Sequence, residues 1–231
     1  MRRLGNVGLL LAVGLAARPA GATDLAALLG EVAAAARFPT PARAEVRIVP
    51  PRGAPLAAVL AGRRDAVVLE AGDVRALARR GRVVLRAGGR TRRAPAGATL
   101  AGTDVGIADL LTFGMLPLRV PQISDEGPMG VMVTGAPAVA SPWVLLVYTI
   151  EPDGGVVVRT QYYRDTIGNL VRMRRDADPT TVAGHRRPGT ITFEDFAAAS
   201  TTTLTLAWHE APDLSPALFT PAGLRDAPQA W

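Results

Sequence analysis

Apolar and polar residues alternate in several short runs in the second half of the chain, the pattern expected of half-buried β-strands. Residues 156–163 are rich in β-branched and aromatic side chains, and residues 170–173 follow a Gly-Asn turn signal. The runs 190–193 and 203–209 alternate threonine with large apolar residues. We therefore predict an antiparallel sheet with one apolar face, in which the first two runs form a hairpin.

Two other segments show the spacing of amphipathic helices. Asp24 can cap the first, which is predicted over residues 25–38 and is followed by a proline. Thr103 or Asp104 can cap the second, a shorter helix that carries four large apolar residues before Gly114. The pattern thus predicts few helices beside many strands.

Shorter apolar runs between glycines predict further strands. Residues 143–150 are apolar on both faces, which predicts a central strand covered from two sides. Residues 73–80 fit either a strand or a helical turn. Residues 86–98 are rich in arginine and glycine, and we expect an exposed loop or hairpin tip there. The remaining strand candidates are residues 44–49, 56–60, 66–70 and 82–86.

Nine or ten strands and only two or three helices leave more apolar sheet surface than the helices can cover. A sheet that curls around its apolar face resolves this, with the helices placed over the opening. We therefore predict a mainly β fold with some α structure, in which a curved antiparallel sheet forms a half-open β-barrel covered by two or three helices.

The first 22 residues have the form of an export signal. Arg2 and Arg3 precede an apolar run over residues 4–17, and small residues follow at the expected cleavage site. The run is shorter than the roughly 20 residues that span a bilayer. We expect cleavage after Ala22, which leaves residues 23–231 as one soluble domain in the periplasm.

The composition of the chain excludes several classes of function. The net charge of +6 comes entirely from arginine, since the 26 basic residues include no lysine. Three arginines lie in the predicted signal, so 23 arginines against 20 acidic residues leave +3. That balance is too small to indicate a nucleic-acid partner. The chain has no cysteine, which excludes disulfides, thiolate metal ligands and an acylated N-terminal cysteine.

Few residues suggest catalysis. His185 lies in a predicted turn and His209 at a strand end, and two histidines without cysteine do not complete a usual zinc site. The serines lie outside any Gly-x-Ser-x-Gly motif. Caps, turns and solvated faces explain two carboxylate pairs more often than acid–base roles do. The pairs are Asp104 with Asp109 and Asp176 with Asp178. We predict no catalytic residue, no metal and no cofactor.

Turn motifs in the second half carry a resemblance to a known family. The motifs are the hairpin 162–172, Gly184-x-x-x-Pro188, Leu218-Phe219-Thr220, and Gly102-Thr103-Asp104 ahead of Asp109-Leu110. In combination, from Gly102 to Leu224, the chain resembles the LolA-like outer-membrane lipoprotein-sorting proteins. The resemblance implies a half-barrel whose helices cover an apolar cavity that takes acyl chains. It transfers no catalytic residue.

We assign the predicted cavity to the apolar positions of the second-half strands and the second helix. The predicted lining residues are Val158, Tyr162, Val171, Met173, Ile191, Phe193, Leu204, Leu206 and Trp208. The predicted lid contacts are Leu110, Leu111 and Phe113. An alternative is that the same residues form a filled core, the commoner fate of an apolar strand face.

The sequence favours a non-enzymatic periplasmic carrier, which binds acyl chains of lipids or lipoproteins and moves them towards the outer membrane. We expect a monomer with a transport partner at the inner or outer membrane and with no nucleic-acid partner. One alternative is a regulatory or assembly module that binds a protein through an apolar or arginine-rich patch. Another is an exported hydrolase with a convergent Asp or His pair in a polar pocket.

Overall fold

A computed structural model describes residues 23–79, 82–95, 97–151, 153 and 155–225. The predicted export signal lies outside these residues. The described part contains two α-helices, α1 (Leu25–Ala35) and α2 (Ile107–Leu110), and a 3₁₀ helix (Pro216–Phe219). The strands are β1 (Phe38–Val49), β2 (Leu56–Arg64), β3 (Ala66–Ala71), β4 (Val74–Arg79), β5 (Arg82–Ala87), β6 (Arg90–Arg93), β7 (Leu118–Gly127), β8 (Gly130–Pro137), β9 (Leu145–Ile150), β10 (Val157–Tyr163), β11 (Leu170–Ala177), β12 (Thr180–Val182), β13 (His185–Arg187), β14 (Thr190–Asp195) and β15 (Ser200–Glu210).

Thirteen of the described strands form one antiparallel sheet in the order β6-β5-β4-β3-β2-β1-β15-β14-β11-β10-β9-β8-β7. Pairing of β1 with β15 joins the meander formed by the first half to the one formed by the second. The edge strands β6 and β7 do not pair with each other, so the sheet stays open. The predicted half-open barrel is confirmed, although it has more strands than the nine or ten expected.

The first helix begins as predicted and ends earlier. The Asp24 carboxylate accepts hydrogen bonds from the backbone amides of Ala26 and Ala27, which confirms the cap. The helix stops at Ala35 because Phe38 already belongs to β1, where its side chain is buried. The expected extension to residue 38 is therefore wrong.

The second helix is shorter than expected and has a different start. It begins after Gly106, and no side chain caps it. The Asp104 carboxylate instead accepts hydrogen bonds from the hydroxyls of Ser200, at 2.7 Å, and Thr202, at 3.0 Å. The predicted capping role of Thr103 or Asp104 is wrong, because Asp104 fixes this segment to β15.

Two ambiguous segments of the first half form strands. Residues 74–79 pair with both β3 and β5, which excludes a helical turn there. The arginine-rich segment forms a hairpin whose tip is Gly88-Gly89, with β6 as its second strand. Every residue of β6 is exposed, which an edge strand permits because one of its sides has no neighbour.

The core is divided between the two faces of the sheet. On the inner face of β1–β5, β14 and β15, apolar side chains pack against the segment from Leu100 to Leu111. On the inner face of β8–β10, they pack against Leu28 and Val32 of α1. The 3₁₀ helix covers the outer face of β2–β5. Strand β9 is buried on both faces, as predicted for a central strand.

Candidate functional site

A cleft of about 820 Å³ lies where these two inner packing regions meet. Its walls are the C-terminal half of α1, the segment from Gly106 to Leu118, the ends of β2–β6, and residues 139–143. Ligand pockets typically have volumes of about 300–1,000 Å³, so the cleft has room for a lipid-sized chain.

Most side chains on the walls of the cleft are apolar. Three residues of α1 and its C-cap residue border the cleft, and the 3.6-residue spacing places them on one side of the helix. They are Leu29, Val32, Ala33 and the C-cap residue Ala36. Leu111 and Phe113 face the cleft from the segment that follows α2. The arrangement offers hydrocarbon contacts on several sides and therefore suits an apolar ligand.

Trp143 connects the cleft to the interior of the second half. Its side chain borders the cleft, and its ring centroid lies 5.4 Å from that of Tyr162. The Arg172 guanidinium lies 5.2 Å from the Trp143 ring centroid, a cation–π distance. The wall of the cleft is thus supported from behind by buried polar side chains.

Strand β11 supplies the centre of that polar group. The Arg172 guanidinium lies 4.0 Å from the carboxylate of Asp109 and 3.6 Å from that of Asp195. Arg174 makes two bonds of 2.7 Å to the Asp176 carboxylate and donates to the backbone carbonyls of Asp109 and Thr112. These contacts hold the α2 segment against the inner face of the sheet.

Burial changes the proton affinities of this group. It raises the pKa of the Asp109 carboxyl, although Arg172 and Arg174 act in the opposite direction. Burial also raises the pKa of Tyr162, and the negative charge of Asp109 raises it further. Burial alone would lower the pKa of Arg174, but the adjacent Asp176 carboxylate outweighs this and raises it. The tyrosine is neutral and the arginine is charged at neutral pH.

A second buried arginine holds the end of α1. Arg187 donates to the backbone carbonyls of Ala35, at 2.7 Å, and Arg37, which are left without helical partners where α1 ends. Its guanidinium also lies 4.0 Å from the Phe38 ring centroid. Burial lowers the pKa of Arg187 to about 10, so the side chain stays charged at neutral pH and complements the negative end of the helix.

None of the nine predicted lining residues borders the cleft. Ile191, Phe193, Leu204 and Leu206 are buried in the inner core of β1–β5, β14 and β15, which corresponds to the alternative of a filled face. Tyr162 is buried against the α1 side. A direct role of these residues in ligand binding stays a prediction that the position of the cleft does not support.

Two further candidates, Trp208 and Val158, lie next to residues of the cleft wall. Trp208 packs between Phe38 and Phe113, at ring distances of 5.9 and 5.6 Å, and its indole N–H donates to the Pro188 carbonyl. Val158 borders a neighbouring cavity of only about 40 Å³. Neither side chain borders the main cleft.

Val171 and Met173 lie on the opposite face of the sheet from the one predicted. Strand alternation places them out of phase with Arg172 and Arg174, whose side chains reach Asp109 and the α2 segment inside the half-barrel. The inward assignment of these two apolar residues is therefore wrong. It failed because the buried arginines of β11 look in the sequence like the solvent-facing residues of an amphipathic strand.

The predicted lid residues have different surroundings. Leu111 and Phe113 border the cleft, whereas Leu110 is fully buried in the inner core. The cleft residues that the sequence did not predict include those in α1, those at the ends of β2–β6, and those in residues 114–118 and 139–143. In α1, the apolar spacing gave a signal, because it marks one face of the helix for burial.

The candidates for catalysis lie apart from one another. His185 is half-buried in β13, where burial and Arg187 lower its pKa, and His209 is exposed on β15. The Ser200 hydroxyl is engaged with Asp104. Within the described ranges, no group of three or more His, Cys, Asp or Glu side chains could hold a metal ion.

No helix among the residues that the structure describes is long and apolar enough to cross a membrane.

Comparison with solved structures identifies the fold, whereas the comparisons by sequence find no match. No protein-family model matches the chain, and no curated protein matches it. A proposed outer membrane lipoprotein-sorting protein domain from Vibrio parahaemolyticus has a TM-score of 0.63 and 14% identity, covering 87% of this chain and 97% of that domain. A LolA superfamily protein from Nitrosomonas europaea has a TM-score of 0.66 and 14% identity, covering 86% and 98%.

A DUF1329 family protein from Desulfovibrio piger is also similar, with a TM-score of 0.64 and 13% identity over 87% of this chain and all of the other, at 100%. The sequence-based resemblance to LolA-like proteins is thereby confirmed at the level of the fold. At these identities the likeness concerns architecture, and function has to be argued from the cleft.

Proposed function

We propose that this protein is a carrier that shelters the acyl chains of lipids or lipoproteins in the cleft while it crosses the periplasm towards the outer membrane. The observation that carries the proposal is the apolar cleft between α1, the α2 segment and the strand ends. The LolA-like fold supports it. The periplasmic location rests on the export signal predicted from the sequence.

The energetics explain why such cargo needs a container. Burying a methylene group is worth about 0.8 kcal/mol, so a chain of roughly 16 carbons gains on the order of 10 kcal/mol on leaving water. An acyl chain that crosses an aqueous space without a carrier is exposed to water, and this exposure costs the same free energy. A cleft walled by Leu29, Leu111 and Phe113 replaces that water with hydrocarbon contacts.

Release of the cargo requires walls that can move. Only Leu28 and Val32 of α1 are buried, and much of the helix surface remains exposed. Arg187 holds the C-terminal end of α1, and Arg174 holds the α2 segment. A few local contacts therefore govern both walls, and a partner that favours the open arrangement would shift the equilibrium towards release.

We infer that the protein performs no catalytic step on this cargo. Among the described residues of the cleft, the carboxylates are Asp65 and Asp109, and the latter is engaged with Arg172. Neither histidine borders the cleft. Binding and transfer are the activities that this set of side chains supports.

Quenching of Trp143 fluorescence tests the proposal. A fatty acyl chain brominated near its middle should quench the wild-type protein saturably, because Trp143 borders the cleft and bromine quenches at contact distance. The Trp143→Phe variant is the control, since it keeps Trp208, which lies outside the cleft wall. Absence of saturable quenching, or the same quenching in Trp143→Phe, would contradict binding in the cleft.

A further inference from the structure

Four arginines lie together at one side of the cleft. Arg64, Arg79 and Arg93 are the last residues of β2, β4 and β6, and Arg37 immediately precedes β1. In an antiparallel meander, alternate strands end at the same end of the sheet, and β1 begins where β2 ends. The topology itself therefore gathers these four residues, which we name the arginine rim.

Among the described residues of the cleft, the four arginines of the rim outnumber the carboxylates, which are Asp65 and Asp109. All four arginine side chains are exposed. The mouth of an apolar cleft thus carries an excess of positive charge.

The guanidinium group is suited to particular anions. Its planar set of N–H donors matches carboxylate and phosphate oxygens in pairs, and such charge-assisted hydrogen bonds are stronger than neutral ones. An apolar cleft with cationic side chains at its mouth complements a molecule that has a hydrocarbon chain at one end and an anion at the other.

We infer that the ligand class is an anionic amphiphile, whose acyl chain lies in the cleft and whose phosphate or carboxylate headgroup contacts Arg37, Arg64, Arg79 and Arg93. This inference rests on the proposed carrier function and narrows it. An apolar cleft alone would accept anionic and zwitterionic headgroups equally, whereas the arginine rim favours anionic ones.

Calorimetric titration of the full chain tests this inference with two matched lipids, each below the concentration at which it forms micelles. The probes are 1-palmitoyl lysophosphatidylglycerol, which is anionic, and 1-palmitoyl lysophosphatidylcholine, which is zwitterionic with the same chain. Exposed ion pairs are individually weak, so four together should give the anionic lipid an advantage of about tenfold in affinity. Added salt should reduce this advantage.

Two variants that each lose four positive charges show whether the preference for the anionic lipid depends on the arginine rim. R37Q/R64Q/R79Q/R93Q removes the arginine rim, and R47Q/R90Q/R92Q/R164Q removes four exposed arginines that do not border the cleft. The first should bind both lipids with similar affinity, within about twofold, whereas the second should keep most of the preference, because screening weakens distant charges. Circular dichroism and thermal unfolding verify that both variants fold.

The possible outcomes separate this inference from the proposed function. Equal wild-type affinities for the two lipids, or an equal loss of preference in both variants, would overturn the headgroup assignment and leave the carrier function standing. Failure of both lipids to bind would overturn the carrier function itself. Glycerol 3-phosphate should bind far more weakly than the anionic lipid, and equal binding would identify a site for free phosphate instead.

Discussion

At the scale of single residues, the unusual feature is that charged side chains of β11 point into the half-barrel. Arg172 and Arg174 are each about 6% exposed, yet each lies beside carboxylates and near the α2 segment. Buried ion pairs contribute little net stability compared with apolar packing, but removing one partner leaves an uncompensated charge. Burial of these two charges costs stability, and their ion-pair partners offset that cost. Their contacts position the wall of the cleft.

Arg174→Met should destabilise the protein strongly. The substitution leaves Asp176 without its partner and removes the donors to the carbonyls of Asp109 and Thr112, so we expect a loss of about 3–5 kcal/mol in the free energy of unfolding. Urea denaturation followed by circular dichroism measures it.

The neighbouring Arg175→Met provides a matched control. Arg175 is exposed and pairs with Glu194 at the surface, so its loss should cost no more than about 1 kcal/mol. The double variant R174M/D176L should regain much of the stability lost in R174M, because it leaves no buried charge unpaired. Similar effects of the two single substitutions would contradict a structural role for the buried pair.

At the scale of elements, α1 is held to the sheet by few contacts, and its fit depends on one glycine. Gly155 has φ +62°, and a Cβ there would come within 2.6 Å of the Glu31 backbone, so only glycine allows the helix to approach this closely. Arg187 fixes the C-terminal end of α1 through the carbonyls of Ala35 and Arg37. Because few contacts hold it, we expect α1 to open locally at a lower free energy than the whole protein unfolds.

Arg187→Met should loosen α1 specifically. Loss of the bonds to the last helical carbonyls should increase amide hydrogen exchange in α1 by about tenfold, which corresponds to roughly 1.4 kcal/mol. Exchange followed by mass spectrometry resolves the peptide that contains residues 25–35. The adjacent Arg186→Met is the control, since that side chain pairs with Glu151 and makes no bond to α1. Uniform acceleration throughout the sheet would contradict a local role for Arg187.

The sequence predicts elements well where local pattern and tertiary context agree. The cap at Asp24 and the hairpin around Asp165 are local, and the Asp165 carboxylate does accept from the amides of Ile167 and Asn169. Strands β7 and β8 are not among the predicted strands. Strand β7 contains Pro121, has two register shifts and has little buried surface, so its sequence lacks the pattern of a half-buried strand. The α2 start was misjudged because Asp104 forms tertiary bonds that no local pattern reveals.

At the scale of the whole molecule, the function argued above depends on a sheet that curls without closing. The half of its inner face formed by β1–β5, β14 and β15 is filled by the chain's own segment Leu100–Leu111. The cleft lies between that segment and α1. The curled sheet follows from the surplus of apolar strand faces and was predictable, whereas the division between filled and open halves depends on packing between distant segments and was not.

The most direct test of the central claim is native mass spectrometry of protein purified from the periplasm. Ala33→Trp places an indole in the cleft, whereas Ala34→Trp places it on the next residue of α1, which does not border the cleft. We predict that the wild-type protein and Ala34→Trp carry a bound lipid or acyl chain and that Ala33→Trp does not. A wild-type protein free of any adduct, or an equally occupied Ala33→Trp, would contradict the account.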